Sequence, residues 1–265
     1  MKMNNSPREL ALSILDKFGI DEPYEIDIED IVYAMEIPIQ FKPLTGCEGR
    51  IIHGKNKSII TINSKIDFET RMRFTIAHEL GHYLMHKRNP IQHSDDISSL
   101  SWFNNKSKSG ISLQEFEANT FASELLLPTH KFSELIHAIP FSPELIRNIS
   151  DQYNVSRSSV IYRFVEDGNH PICVFYTQNN KVHFWRRADG FNYKIKDITK
   201  LPPPTDSVAA EYFNENTIYP VNDSKQVIVK STWLEVPEDY INDTFYEFCL
   251  VYSAANLAIS VIWED

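Results

Sequence analysis

The segment RMRFTIAHELGHYLMH contains His78-Glu79-Leu80-Gly81-His82, two histidines and a glutamate at a spacing that suits a catalytic metal. Residues four apart lie ~40° apart around a helix, so His78 and His82 share one face. Their imidazoles can meet at one zinc ion. Glu79 falls beside them, next to the metal and not on it, where a general base can take a proton from water. HExxH is short and also arises by chance. Here it is set among Phe74, Ile76, Ala77, Leu80 and Leu84, which makes its helix at least partly buried. Buried imidazoles and a buried carboxylate need partners, and a metal supplies them.

Catalytic zinc usually has three protein ligands and one open position. The metzincin pattern would need a Gly and a further His after His82, but those positions hold Met85 and Arg88. A glutamate from a later helix is the other solution. LQEFEANTFASELL (113–126) offers Glu115, Glu117 and Glu124. At ~100° per residue, Glu115 falls among Ala118, Ala122, Leu125 and Leu126, while Glu117 and Glu124 lie ~180–200° round from it. Glu115 is therefore the expected third ligand, since a carboxylate on an apolar face needs a strong partner. Ser112-Leu113-Gln114-Glu115 also spells a capping box, which is the competing use of that side chain. Asn119, one turn on from Glu115, can hydrogen-bond a ligand imidazole from behind. His86 lies ~12 Å further along the axis than His78 and reads as a structural or cleft histidine.

The elements that must carry these residues follow from local pattern. Ser6, Pro7 and Glu9 open a helix over 7–18, and Gly19 closes it. A short helix covers 28–36 with Asp27 as cap. Strands follow at 37–42, 49–53 and 58–63, then the HExxH helix over about 67–88. Residues 89–111, which include His93, form a long polar loop, and the helix over 113–126 stops before Pro128. Residues 129–138 add a further helical turn or two. PELIRNISDQYNVSRSSVIYRFVE (143–166) reads as helix, tight turn, helix. After Gly168 the segments 172–176, 181–186, 226–235, 245–252 and 256–263 read as strands.

FTIAHELGHYLMH followed by EFEANTFASELLLP resembles the ImmA/IrrE family of bacterial and phage-related zinc metallopeptidases. IITINSKIDFETRMR, a strand ending at an Asn before the HExxH helix, fits the same pattern. The resemblance covers roughly 7–165; Leu127 stands where the family often has Met, and the 89–111 loop is long. It implies His78, His82 and Glu115 as zinc ligands and Glu79 as the catalytic acid/base. It also implies a helix-turn-helix repressor as the protein cleaved. The expected fold is α+β. A zincin-like helical metallopeptidase domain with a small antiparallel sheet spans 1–138. A helix-turn-helix-like segment spans 139–168, and a sheet-rich α+β domain, with a sensing or docking role, spans 169–265. For the substrate, the strand at 58–63 is expected to offer its edge to an extended segment. Tyr83, His86 and Arg71 are the candidates for stabilising an oxyanion.

Composition narrows the partners. Hydrophobic residues make up 42% of the 265 and charged residues 23%, which excludes a wholly disordered chain. Lys and Arg number 26 against 36 Asp and Glu, a net charge of −10, and no region is basic. The rival function is a DNA-binding or stress-sensing regulator with a structural or vestigial zinc site, placing Arg157, Ser158, Ser159 and Arg163 toward a groove. Residues 139–168 carry three Arg against Glu144, Asp151, Glu166 and Asp167, too little positive charge for backbone phosphates. Nucleic acid is therefore not expected as a partner. His183, Trp185, Arg186 and Arg187 read as an ordinary strand of alternating exposure. Three scattered cysteines, no signal-peptide core and no long apolar run lead to the expectation of a soluble cytoplasmic protein with no membrane partner.

Overall fold

The computed structural model describes residues 6–53, 58–86, 113–220 and 224–264. The polar stretch over 89–111, His93 within it and the Ser112 cap lie outside them. The chain divides into two compact units, 1–132 with 150–156, and 133–149 with 157–265.

The first unit opens with α1 (Pro7–Phe18), where Ser6 and Glu9 form the capping box and Gly19 closes the helix at φ 65°. α2 (Ile28–Ala34) follows; Asp27 stands at its N-cap position without a side-chain bond to the helix. A three-stranded sheet of β1 (Ile39–Lys42), β2 (Gly49–His53) and β3 (Ser58–Asn63) leads into α3 (Glu69–His86). α4 (Leu113–Leu126) packs along α3 and against α1. α5 (Thr129–Ile136) and α6 (Pro143–Tyr153) come next in the chain; their residues 133–149 belong to the second unit, and 150–156, with the turn at Asn154, to the first.

The small sheet differs from the expected antiparallel one. β1 pairs with β3 in parallel, Ile39 opposite Ile60, and only β2 runs antiparallel to β3. The strand order β1-β3-β2 puts β3 in the middle. The β3 edge expected to receive a substrate is therefore occupied on both sides. The 43–48 link carries the chain from β1 to β2 past the end of β3, where Asn63 holds it. The Asn63 carbonyl accepts from the amides of Leu44 and Lys65, and its NH2 donates to the carbonyls of Leu44 and Cys47. One amide at the end of β3 thus anchors the link at two points, and the fully buried Ile60 and Ile62 face the core.

The second unit contains α7 (Arg157–Asp167) and a five-stranded antiparallel sheet. Its strands are β4 (Ile172–Gln178), β5 (Lys181–Arg187), β7 (Gln226–Val229), β9 (Thr244–Tyr252) and β10 (Leu257–Trp263), in the order β5-β4-β10-β9-β7. Every residue of the central β10 is buried. The edge strand β5 alternates in exposure, His183 and Trp185 outward. The segment read as one strand over 226–235 is instead β7, a 3-10 turn at Lys230–Thr232 and β8 (Leu234–Glu235), which pairs with β6 (Lys194–Ile195). The break lets Trp233 stack on Phe175 in the core, with ring centroids 4.1 Å apart.

α8 (Val208–Glu215) was not legible as a helix in the sequence. Ser207 caps it, and the buried Glu247 carboxylate accepts from the amides of Val208 and Ala209 and from Trp233 Nε1. Burial pushes the Glu247 carboxyl above its ordinary range against the pull of those donors. Burial likewise raises the Cys173 and Cys249 thiols, so neither is an activated nucleophile. On α7, Ser158 is buried, and Arg163 is 2% exposed and paired with Asp167 at 2.8 Å. Two of the four residues a groove-reading helix would use are therefore turned inward. No helix among the described residues is long and apolar enough to cross a membrane.

Candidate metal centre

Thr75 to His82 are buried without a break, because the middle of α3 is covered by the sheet on one side and by α4 on the other. Gly81 sets the closeness of that second contact. A Cβ there would lie 3.3 Å from Ala118 Cα and 3.1 Å from the Phe121 ring. Glycine facing alanine lets the two helices approach, and the side chains on either side of the crossing then meet.

His78 Nε2 and His82 Nε2 are 2.9 Å apart. Glu115 lies opposite, its Oε2 3.3 Å from His78 Nε2 and its Oε1 3.2 Å from His82 Nε2. Among the described residues these three form one group of donors able to hold a metal ion, with ligand atoms within 4.8 Å of one another. The chemistry of the set fits a metal. Asn119 Oδ1, an acceptor, sits 2.8 Å from His78 Nδ1. With its hydrogen on Nδ1, donated to Asn119, His78 turns the lone pair of Nε2 toward His82 and Glu115, an arrangement of three donors that a cation would satisfy. Two imidazoles and one carboxylate are donors that suit zinc in a three-ligand open site.

Glu79 is 3% exposed and lies on the sheet side of α3. Gly49, the first residue of β2, faces it: a Cβ on Gly49 would come within 2.8 Å of Glu79 Oε1 and 2.7 Å of Thr75 Cγ2. The lack of a side chain at Gly49 is what leaves room for the Glu79 carboxylate beside the strand. Beside it, Glu48 Oε2 pairs with Arg71 Nε and accepts from Thr75 Oγ1 at 3.3 Å.

The other sequence candidates are placed as follows. Arg71 is engaged by Glu48, and Tyr83 is half-buried on α3. His86 is buried, with its Nδ1 2.9 Å from His82 Nδ1 and its Nε2 2.9 Å from Glu117 Oε2. Glu124 is off the Glu115 face, as its helical angle requires, yet it is buried; it accepts from the amide and hydroxyl of Thr129 and caps the start of α5. Sequence reasoning missed the Glu117–His86 contact and the Gly49–Glu79 approach. The HELGH glycine was a visible signal for the α3–α4 crossing, whereas Gly49 carried none.

A helix-borne HExxH converging with a glutamate from the next helix is an arrangement of the metallopeptidase class. The IrrE N-terminal-like domain profile, from a peptidase family, matches residues 34–165. Metallopeptidase ImmA of Bacillus subtilis (strain 168) is 31% identical over 163 residues, which is 59% of this chain and 83% of that protein. A solved Mycobacterium tuberculosis transcriptional regulator matches with a TM-score of 0.57, covering 97% of this chain and 87% of that one. Its identity is 14%, a likeness of fold alone. The chain belongs to the ImmA/IrrE metallopeptidase family.

Proposed function

We propose that the chain is a zinc-dependent endopeptidase that cleaves a regulatory protein. The observation that carries this reading is the meeting of His78 Nε2, His82 Nε2 and the Glu115 carboxylate within 4.8 Å, with the buried Glu79 on the same helix. In this reading His78, His82 and Glu115 hold the metal, and Asn119 orients His78 from behind. A zinc ion there would supply Lewis acidity, acidifying a water and polarising the scissile carbonyl. Glu79 takes a proton from the attacking water as its oxygen bonds to the carbonyl carbon. It returns that proton to the departing amine nitrogen as the C–N bond breaks. Burial of Glu79 keeps bulk water from competing for that proton. β2 is an edge strand among the described residues and is the strand that reaches Glu79 at Gly49. An extended substrate segment can pair there, in place of the occupied β3 edge.

Membership of the ImmA/IrrE family points to a helix-turn-helix repressor as the substrate. The inward Ser158 and Arg163 weigh against the DNA-binding alternative. The test is incubation of the zinc-loaded full chain with helix-turn-helix repressors from the same genome, analysed by intact-mass spectrometry. Cleavage at one position, lost on chelation and regained with zinc, is the expected result. An intact partner under both conditions would refute the substrate assignment.

The helix crossing yields a further expectation. Gly81→Ala gains ~1 kcal/mol of helix propensity, but its Cβ meets backbone atoms of α4, and overpacking of that kind costs ~1–3 kcal/mol. Opening the α3–α4 gap carries Glu115 and Asn119 away from the two histidines. Zinc affinity should then fall about tenfold for each ~1.4 kcal/mol of strain released that way. Chelator-competition titration checks this, and unchanged affinity would mean that the crossing does not set the site.

A further inference from the structure

His86 and Glu117 are two buried or half-buried polar residues that the reaction above does not use, and they touch one of its proposed ligands. Glu117 Oε2 lies 2.9 Å from His86 Nε2. A carboxylate only accepts, so His86 carries a hydrogen on Nε2. In neutral His86 the other nitrogen, Nδ1, is then bare, and it faces His82 Nδ1 at 2.9 Å. His82 must donate in that contact. With a metal taking the His82 Nε2 lone pair, the ring's own hydrogen sits on Nδ1 and is donated to His86; without one, the Glu115 carboxylate 3.2 Å from Nε2 competes for that hydrogen.

We propose that Glu117 and His86 form a positioning relay for His82. The relay selects the tautomer in which Nε2 can bind a metal, holds the ring in place and increases its donor strength. The two histidines of the site are thus supported differently. His78 rests on the Asn119 amide, and His82 rests on an imidazole backed by a carboxylate. α4 supplies all three supports, Glu115 in front and Glu117 and Asn119 behind, so the approach of one helix assembles the donors and prepares their tautomers together. This inference rests on the reading of His78, His82 and Glu115 as metal ligands.

The competing role is a plain tie between α3 and α4, which would affect folding but not the state of His82. Two measurements on the full-length chain separate them. Zinc titrations against a chromophoric chelator compare the wild type with Glu117→Ala, His86→Ala and the double variant. Each single change should weaken zinc about 10–100-fold, and the double should lose no more than the larger single effect, because both remove one relay. Nitrogen-15 spectra of the zinc-loaded chain report the Nδ1 hydrogens of the two histidines. The His82 Nδ1–H should be shifted downfield and slow to exchange in the wild type and lose both features in Glu117→Ala, while His78 stays unchanged. Glu117→Gln keeps the shape with a weaker acceptor and should fall between; it decides the matter if an alanine variant does not fold. Unchanged zinc affinity in the single variants, or an unchanged His82 Nδ1–H signal in Glu117→Ala, would overturn the relay. A wild type that takes up no zinc would instead overturn the ligand reading itself.

Discussion

Glu79→Gln is expected to keep a full complement of zinc and to lose cleavage by ~10²–10⁴, the usual cost of removing a general base. The substitution preserves volume in a position that is 3% exposed, so packing against β2 should hardly change. In the proposed site Glu79 stands beside the metal donors and is not one of them, so metal content should survive. What disappears is the carboxylate that accepts the proton of the attacking water. Metal analysis and partner cleavage measured on one sample decide the case. Full zinc with full activity would remove Glu79 from the mechanism, and lost zinc would make it a structural support. Gly49→Ala should act on the same step by another route. Its Cβ would press on Thr75 Cγ2 and on Glu79 Oε1 and Cγ, so Glu79 or the start of β2 must shift; cleavage measured beside zinc content should fall while the zinc is retained.

Glu115→Ala should cost more zinc affinity than any other single change on α4. It removes one of three donors, whose oxygens lie 3.3 and 3.2 Å from the two Nε2 atoms. The loss should exceed the ~10–100-fold expected when an outer partner such as Glu117 is removed. Zinc retained after gel filtration, compared for Glu115→Ala, Glu117→Ala and wild type, gives the ranking directly. Equal retention by the two variants would contradict both the helical-angle assignment and the observed contacts.

Much of the site was legible because it rests on helical period. The i, i+4 spacing of His78 and His82 puts their nitrogens side by side wherever that helix sits. The apolar neighbours Ala118, Ala122 and Leu125 mark the face of α4 that must turn inward, and Glu115 goes with it. Ser6 with Glu9, and Gly19, likewise announce α1 through contacts a few residues apart.

Other features depend on which distant segment arrives, and no local pattern encodes that. Alternation along 39–42 and 58–63 fits a parallel pair as well as an antiparallel one, and the parallel pairing with β3 in the middle is visible only in the assembled sheet. An angle on an isolated helix excludes Glu117 as a companion of Glu115, but it cannot see His86 on the neighbouring helix, where Glu117 finds its partner. α8 needed Glu247 from another strand to satisfy its first amides, so its start is not written in its own residues alone. The sequence by itself determined the residue types of the proposed site, their spacing along two helices and a glutamate between the histidines. Only the tertiary structure decided the strand order, the room beside Gly49 and the supports behind each imidazole, because those are contacts between segments and depend on how closely the backbones approach.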